Sequence, residues 1–241
     1  MARRDGRLGV GIIGTAPIGP VLANALAGAG HALIGIAAED EHARERVEAI
    51  VPDAPILDEA HIVERSELGV LACDDDELPG LVERLTEAHA WVQGQLVLHT
   101  APGYGTAILA RAFDAGVIPL AVHPAFDVTG TSLDLTRLRE AWCAVTAPRP
   151  VLPIAQALVV ELGGEPVIIA EEDRATYADA LAAATSFTRS VIKQSTEALA
   201  GIGVETPGFL ISSLVRSAVD NALADASPHL PEPDDFVSDD L

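Results

Sequence analysis

Basic residues are scarce: the 241-residue chain holds 15 lysines and arginines against 36 aspartates and glutamates, a formal charge of −21 at pH 7. Nucleic acids and anionic membranes are held by basic patches, so neither is an expected partner. Lysine is almost missing, Lys193 being the sole one, which in an arginine-heavy, alanine-rich chain reflects compositional bias. Two cysteines, Cys73 and Cys143, are too few for a disulfide framework and have no metal-ligand spacing. No metal site is expected, and both read as plain buried thiols of a reducing compartment. No apolar run reaches the roughly 18 residues that a membrane span needs. The basic start, Met1-Ala2-Arg3-Arg4, is followed by a glycine-interrupted segment without a small-residue cleavage site, unlike a secretory signal. A cytoplasmic protein is expected.

What is present is a core-forming chain, 49% hydrophobic, whose first thirty residues set its class. Leu8, Val10, Ile12 and Ile13 read as a buried strand, Gly14 to Gly19 as a turn, and Val21 to Ala29 as an alanine-rich helix. This is the opening unit of a dinucleotide-binding domain. The turn lacks one glycine: Gly14-Thr15-Ala16-Pro17-Ile18-Gly19 has alanine where G-x-G-x-x-G has its second glycine. Ala16 adds a methyl group where a pyrophosphate would approach the backbone, and Pro17 removes an N–H that could bond a phosphate oxygen. Proline is nevertheless at home in the first turn of a helix, so the turn can fold without binding well. A literal match at Gly9, Gly11 and Gly14 lies inside the strand and is a false positive.

Strands and helices alternate through the first 145 or so residues, the pattern of a mostly parallel, doubly wound α/β sheet. Strands are expected at 32–37, 56–57, 68–73, 95–99, 118–122 and 142–146, with helices at 42–50, 62–66, 78–88 and 106–115. The acidic stretch Asp74 to Glu77 is expected to cap the helix that begins at Leu78. From Pro148 the character changes to a helix over 151–162, a short strand over 166–170, and two long helices from Asp173 and Thr206. The expected organisation is a Rossmann-type domain over 1–147, a helical domain over 148–226 and an acidic mobile tail over 227–241.

In open α/β sheets ligands sit outside the carboxyl ends of the strands, where Gly14, Asp74, Thr100 and His123 all fall. Glu39, about twenty residues past the turn, stands where an acid takes the ribose hydroxyls and favours NAD. Glu39 reads equally as an N-cap or first-turn acid of the next helix, and the adjacent Asp40 competes for either role. His123, beside Asp127, Thr129, Thr131 and Ser132, is either a proton shuttle or the residue that pins its loop to a carbonyl. Ser186, Ser190, Lys193 and Glu197 share one face of the long helix, a stripe that could face a nicotinamide or simply carry an i, i+4 ion pair.

Together these segments resemble the Rossmann-like proteins with a C-terminal helical domain of unknown function, within the 6-phosphogluconate dehydrogenase-like superfamily that includes ketopantoate and pyrroline-carboxylate reductases. The resemblance rests on Val10 to His31, on His99-Thr100, on Val122-His123-Pro124 through Gly130-Thr131-Ser132-Leu133-Asp134, and on Val145 to Ile169. It implies an NAD(P)-dependent oxidoreductase acting on an unidentified small substrate, with the C-terminal helices forming a homodimer. In that reading Gly14, Thr15, Ile18, Gly19, Glu39, Asp74 and Thr100 bind NAD or NADP, and His123, Ser186 and Lys193 are catalytic. Three departures fall at the same expected cleft: Ala16-Pro17 in the turn, Ala101-Pro102 with Tyr104 in the loop after His99, and Ser186-Phe187 in place of an Asn-His pair. They support the alternative of a non-catalytic relative that keeps the dimeric fold as a binding or regulatory module.

Overall fold

The computed structural model describes residues 7–14, 16–38 and 40–226. Thr15, Glu39 and the expected acidic tail lie outside the described residues. The chain divides into two compact units, residues 1–182 and 183–241.

The first unit is built on a seven-stranded sheet of order β2-β1-β3-β4-β5-β6-β7. The strands are β1 (Gly9–Ile13), β2 (Ala32–Ile36), β3 (Leu68–Leu71), β4 (Leu96–His99), β5 (Ile118–Pro124), β6 (Trp142–Thr146) and β7 (Glu165–Ile168). Every neighbouring pair is parallel except β5 and β6, which run antiparallel with Ala121 opposite Thr146 and His123 opposite Ala144. Helices α1 (Ile18–Gly28), α2 (Glu41–Ile50), α3 (Glu59–Arg65), α4 (Leu78–Glu87), α5 (Ala110–Asp114), α6 (Asp134–Glu140) and α7 (Leu152–Leu162) connect the strands.

The strands are continuous apolar runs because both faces are covered. Alternate side chains divide between two cores. Val10, Ile12, Leu68, Val70 and Leu98 pack under α1, α2 and α7, whereas Ile13, Leu71 and Val97 pack under α3, α4 and α5. Close packing also explains the misleading glycine match in β1. A Cβ on Gly11 would stand 2.3 Å from Cγ2 of Ile62, so this glycine lets α3 press onto the strand and touches no ligand.

Four expectations need correction. The strand at 56–57 shrinks to a single bridge between Ile36 and Ile56, since Pro55 and Asp58 leave no length for a ladder. The helix at 106–115 splits into a 3-10 turn, Thr106–Leu109, and α5. Helix α6 was not foreseen; with only Leu135 and Leu138 turned inward, seven residues are too short for a helical period to be read. No side-chain cap forms at α4, whose Pro79 lies in the first turn; the N–H groups of Glu77 and Leu78 bond instead to the backbone carbonyl of Asp74.

The stretch after Pro148 is more closely tied to the sheet than its composition suggests. Helix α7 packs its Ala155, Leu158, Val159 and Leu162 into the first core, and β7 pairs with β6. The division between compact units falls after Ala182, inside the long helix α8 (Arg174–Gly201). The second unit holds the rest of α8 and α9 (Pro207–Ala226). No helix among the described residues is long and apolar enough to cross a membrane.

Candidate functional site

The strand order reverses between β1 and β3, and the turn after β1 closes against the carboxyl end of β3. Gly14 has φ +101°, and a Cβ there would lie 2.4 Å from the carbonyl oxygen of Ala72. Only glycine fits. That same carbonyl accepts the Ala16 N–H at 2.9 Å, and the Gly19 N–H donates to the Ala16 carbonyl at 3.0 Å. Pro17 has no N–H. Of positions 16 to 19, only Ile18 keeps an N–H without a partner among the described residues, at a helix N-terminus where several would normally be free for an anion.

Three adjoining cavities follow the carboxyl edge of the sheet. The first, about 180 Å³, is lined by Ala16, Pro17, Ile18, Asp74, Asp75, Thr100, Pro102, His123 and Val128, among others. It shares Cys73 with a second of about 560 Å³ at Gly14, Asp76, Glu77 and Arg84. The second shares Glu59 and Arg84 with a third of about 670 Å³, which lies past β2 beside Ala38, Arg44 and Ile56. Arg84 is paired with Glu59 at 3.4 Å. Asp75 has its carboxyl raised above the usual range by burial, with Asp74 and Asp76 adding like charge against the bond from the Gly103 N–H.

His123 projects from β5 into the first cavity. Its Nδ1 is 2.9 Å from the Tyr177 hydroxyl, and the two rings meet edge to face with centroids 5.7 Å apart. Arg174, at the start of α8, is fully buried with no carboxylate partner among the described residues. Its Nε–H donates to Oγ1 of Thr146 at 2.7 Å, and Nη2 donates to the carbonyls of Ala121 and Ala144. Its Cζ lies 5.9 Å from the centre of the Tyr177 ring. Burial, reinforced by Arg174 and His99, lowers the His123 pKa to about 4, and burial raises that of Tyr177 to about 12. At neutral pH both groups are uncharged. His99, at the end of β4, donates from Nε2 to the Gly105 carbonyl at 2.8 Å; burial takes its pKa to about 4 as well.

The loop between β5 and α6 is held by Asp134, whose side chain is fully buried. It accepts N–H bonds from Thr129 and Gly130 at 2.8 and 2.7 Å and pairs with Arg137 at 2.9 Å. Burial opposes its ionisation, but these donors prevail and hold its carboxyl below the usual range.

The structure thus brings Ile18, Asp74, Thr100 and His123 to one cavity and puts Gly14 on the next. Gly19 does not line either cavity. It faces the sheet, where a Cβ would be 3.0 Å from Cγ2 of Ile12, and with its N–H engaged it serves helix packing. Asp40 caps α2, accepting the Ala43 N–H at 2.7 Å. Ser186 and Lys193 belong to the second unit; both are exposed, and Lys193 is 3.9 Å from Glu197. Sequence reasoning missed Arg174, Tyr177 and Arg44. The first two had a signal, since a basic residue directly follows the acidic run Glu171-Glu172-Asp173 and Tyr177 stands three residues on, on the same helical face.

A dinucleotide matches this run of cavities at its ends and not at its middle. Arg44, whose Nε donates to the Ala38 carbonyl at 3.4 Å, borders the cavity past β2, and Thr100 and His123 border the one at the other end. Between them the turn offers, among the described residues, one N–H without a partner, and it faces Asp74, Asp75, Asp76 and Glu77.

Residues 2–124 match the family model described as a Rossmann-like domain. Residues 141–230 match that of a domain of unknown function, DUF2520. No curated protein matches the sequence significantly. Among solved structures, a candidate NADP oxidoreductase from Bacteroides fragilis aligns at TM-score 0.71 with 15% identity, covering 90% of this chain and 81% of that one. The 1-pyrroline-5-carboxylate reductase of Streptococcus pyogenes aligns at 0.67 with 14% identity over 96% and 84%. An imine reductase from a Pseudomonas species aligns at 0.66 with 13% identity over 92% and 76%. At these identities the likeness is one of fold. By its matched domains and its sheet, the chain belongs to the Rossmann-like family and carries a C-terminal DUF2520 domain.

Proposed function

We propose that the protein is an oxidoreductase that draws on NAD or NADP and acts on a small substrate beside His123. The observation that carries this reading is the meeting of Ile18, Asp74, Thr100 and His123 around one cavity at the point where the strand order reverses. Reductases among the fold neighbours support it. When bound, the cofactor would supply hydride chemistry. Of the chain's own groups, Gly14 shapes the turn, the Ile18 N–H meets a phosphate, and Arg44 borders the far cavity. Thr100 and His123 orient what lies in the near one. Ser186 and Lys193 have no part in this proposal.

Titrating the purified protein with NADH and NADPH by calorimetry tests the reading. Saturable binding of either supports it, and no binding of both at millimolar concentration overturns it.

The engaged Ala16 N–H and the missing one at Pro17 favour a second reading, a non-catalytic relative serving as a dimeric binding or regulatory module. Dimerisation is part of both readings. In the second unit α9 has no buried residue, and Phe209, Leu210, Leu214 and Leu223 are more than 60% exposed. Apolar surface of this kind on a helix calls for a partner, and a second copy of this chain is the occupant we assign to it. The compartment we assign is the cytoplasm, where Cys73 and Cys143, both free and buried, would remain reduced.

A further inference from the structure

Tyr177 has no counterpart in the expected site, yet it makes the only hydrogen bond to the His123 ring among the described residues. A neutral imidazole carries its single proton on Nδ1 or on Nε2, and which it is decides whether the other nitrogen donates or accepts. Here the neighbours decide. The phenol is a good donor and a weak acceptor, whereas the bare imidazole nitrogen is a strong acceptor, so the favoured bond runs from the Tyr177 O–H to Nδ1. The Arg174 cation beside the Tyr177 ring adds to this preference, because positive charge makes a phenol a better donor. Arg174 is itself fixed by Thr146, Ala121 and Ala144, and the edge-to-face contact holds the two rings in place.

We infer that Tyr177 is a positioning residue that holds His123 in the Nε2–H form, so that His123 presents a hydrogen-bond donor to a carbonyl or imine acceptor entering the cavity. This deepens the proposed function and rests on it for the identity of the acceptor. The tautomer itself does not depend on any cofactor. The other polar groups lining this cavity are the Asp74 and Asp75 carboxylates, the Thr100 hydroxyl and the Cys73 thiol, with His99 and Arg174 behind. Both carboxylates can only accept while ionised and a thiol is a weak donor, which leaves His123 and Thr100 as the strong side-chain donors. A neutral His123 at physiological pH, the consequence of its burial, is what a donor of this kind requires.

The test is nitrogen-15 NMR of the imidazole side chains in the full-length, ligand-free protein at neutral pH, with His123 assigned by its loss in His123→Gln. The expected result is a pyrrole-like Nε2 and a pyridine-like Nδ1 in the wild type. In Tyr177→Phe the two shifts should move toward each other as both tautomers become populated, with the melting temperature nearly unchanged. A wild-type His123 protonated on Nδ1, or on both nitrogens, overturns the inference. So does a Tyr177→Phe variant that leaves the tautomer as it was. If Tyr177→Phe fails to fold, the wild-type spectrum still decides. Because no dinucleotide is present, failure of the nicotinamide titration leaves this result standing, and the reverse also holds.

Discussion

Replacing Pro17 by alanine returns one N–H to the first turn of α1 and should tighten dinucleotide binding. The structure isolates this change. The Ala16 N–H is already committed to the Ala72 carbonyl and the Gly19 N–H to that of Ala16, so the restored donor joins the Ile18 N–H, which has no partner among the described residues. Alanine also keeps the Cβ that stands 3.1 Å from where a Cβ on Gly130 would lie, so the side facing the β5–α6 loop is unchanged. A hydrogen bond to a charged oxygen contributes roughly 1.5–3 kcal/mol, equivalent to an affinity gain of about 10- to 100-fold. The carboxylates of Asp74 to Glu77 are unchanged between the two proteins, so their repulsion cancels in the comparison. Loss of the proline ring acts mainly on the unfolded chain, about 0.4–1 kcal/mol of stability, and does not enter the binding ratio. The assay is calorimetric titration of wild type, Pro17→Ala and Ala16→Gly with NADH and with NADPH at fixed ionic strength. Ala16→Gly should change affinity by less than about threefold, since its N–H stays on Ala72 and only a methyl is lost. Equal affinity in wild type and Pro17→Ala, or a gain confined to Ala16→Gly, would refute the reasoning and place the obstruction at the methyl group.

Three further outcomes are expected. His99 and His123 have folded pKa values of about 4 against 6.5 for the free side chain. Between those values the unfolded chain binds protons that the folded one does not, so stability present above pH 6.5 is lost as pH falls toward 4. For His99 the full effect is about 3 kcal/mol, and His99→Gln should flatten the melting temperature across that window. Asp134→Asn should destabilise the protein by about 2–4 kcal/mol in denaturant melts by weakening the bonds from Thr129, Gly130 and Arg137. Because the Asp134 pKa is depressed, its contribution is present above pH 4 and lost as pH falls below that, and the variant should lose this acid dependence. Phe209→Asp combined with Leu214→Asp should convert a dimer of the wild-type chain into a monomer in light scattering; an unchanged mass would exclude α9 as the contact.

Strong periodic or continuous apolar patterns made most of the fold readable. The runs at Leu8 to Ile13, Leu68 to Cys73 and Gln95 to His99 could only be strands buried on both faces, and each became one. The 56–57 strand and α6 failed for the opposite reason, since two apolar residues carry no period. At the site, the carboxyl ends of strands were legible because a parallel sheet collects its ligands there whatever its loops contain. His123 could therefore be named, while Tyr177 and Arg174 could not; they are 54 and 51 positions away, and only the packing of the start of α8 against β5 and β6 brings them to it.

The local chemistry of the turn was settled by the chain itself. Proline has no N–H in any fold, and Gly14 must be glycine wherever a positive φ is required. The fate of the remaining donors was a tertiary matter. Nothing adjacent to Ala16 in sequence shows that its N–H is taken, because the acceptor is the carbonyl of Ala72 at the end of another strand, brought within 2.9 Å by the pairing of β1 with β3. The protonation of His123 is likewise set by distant groups, since burial and a neighbouring cation exist only once the chain has folded.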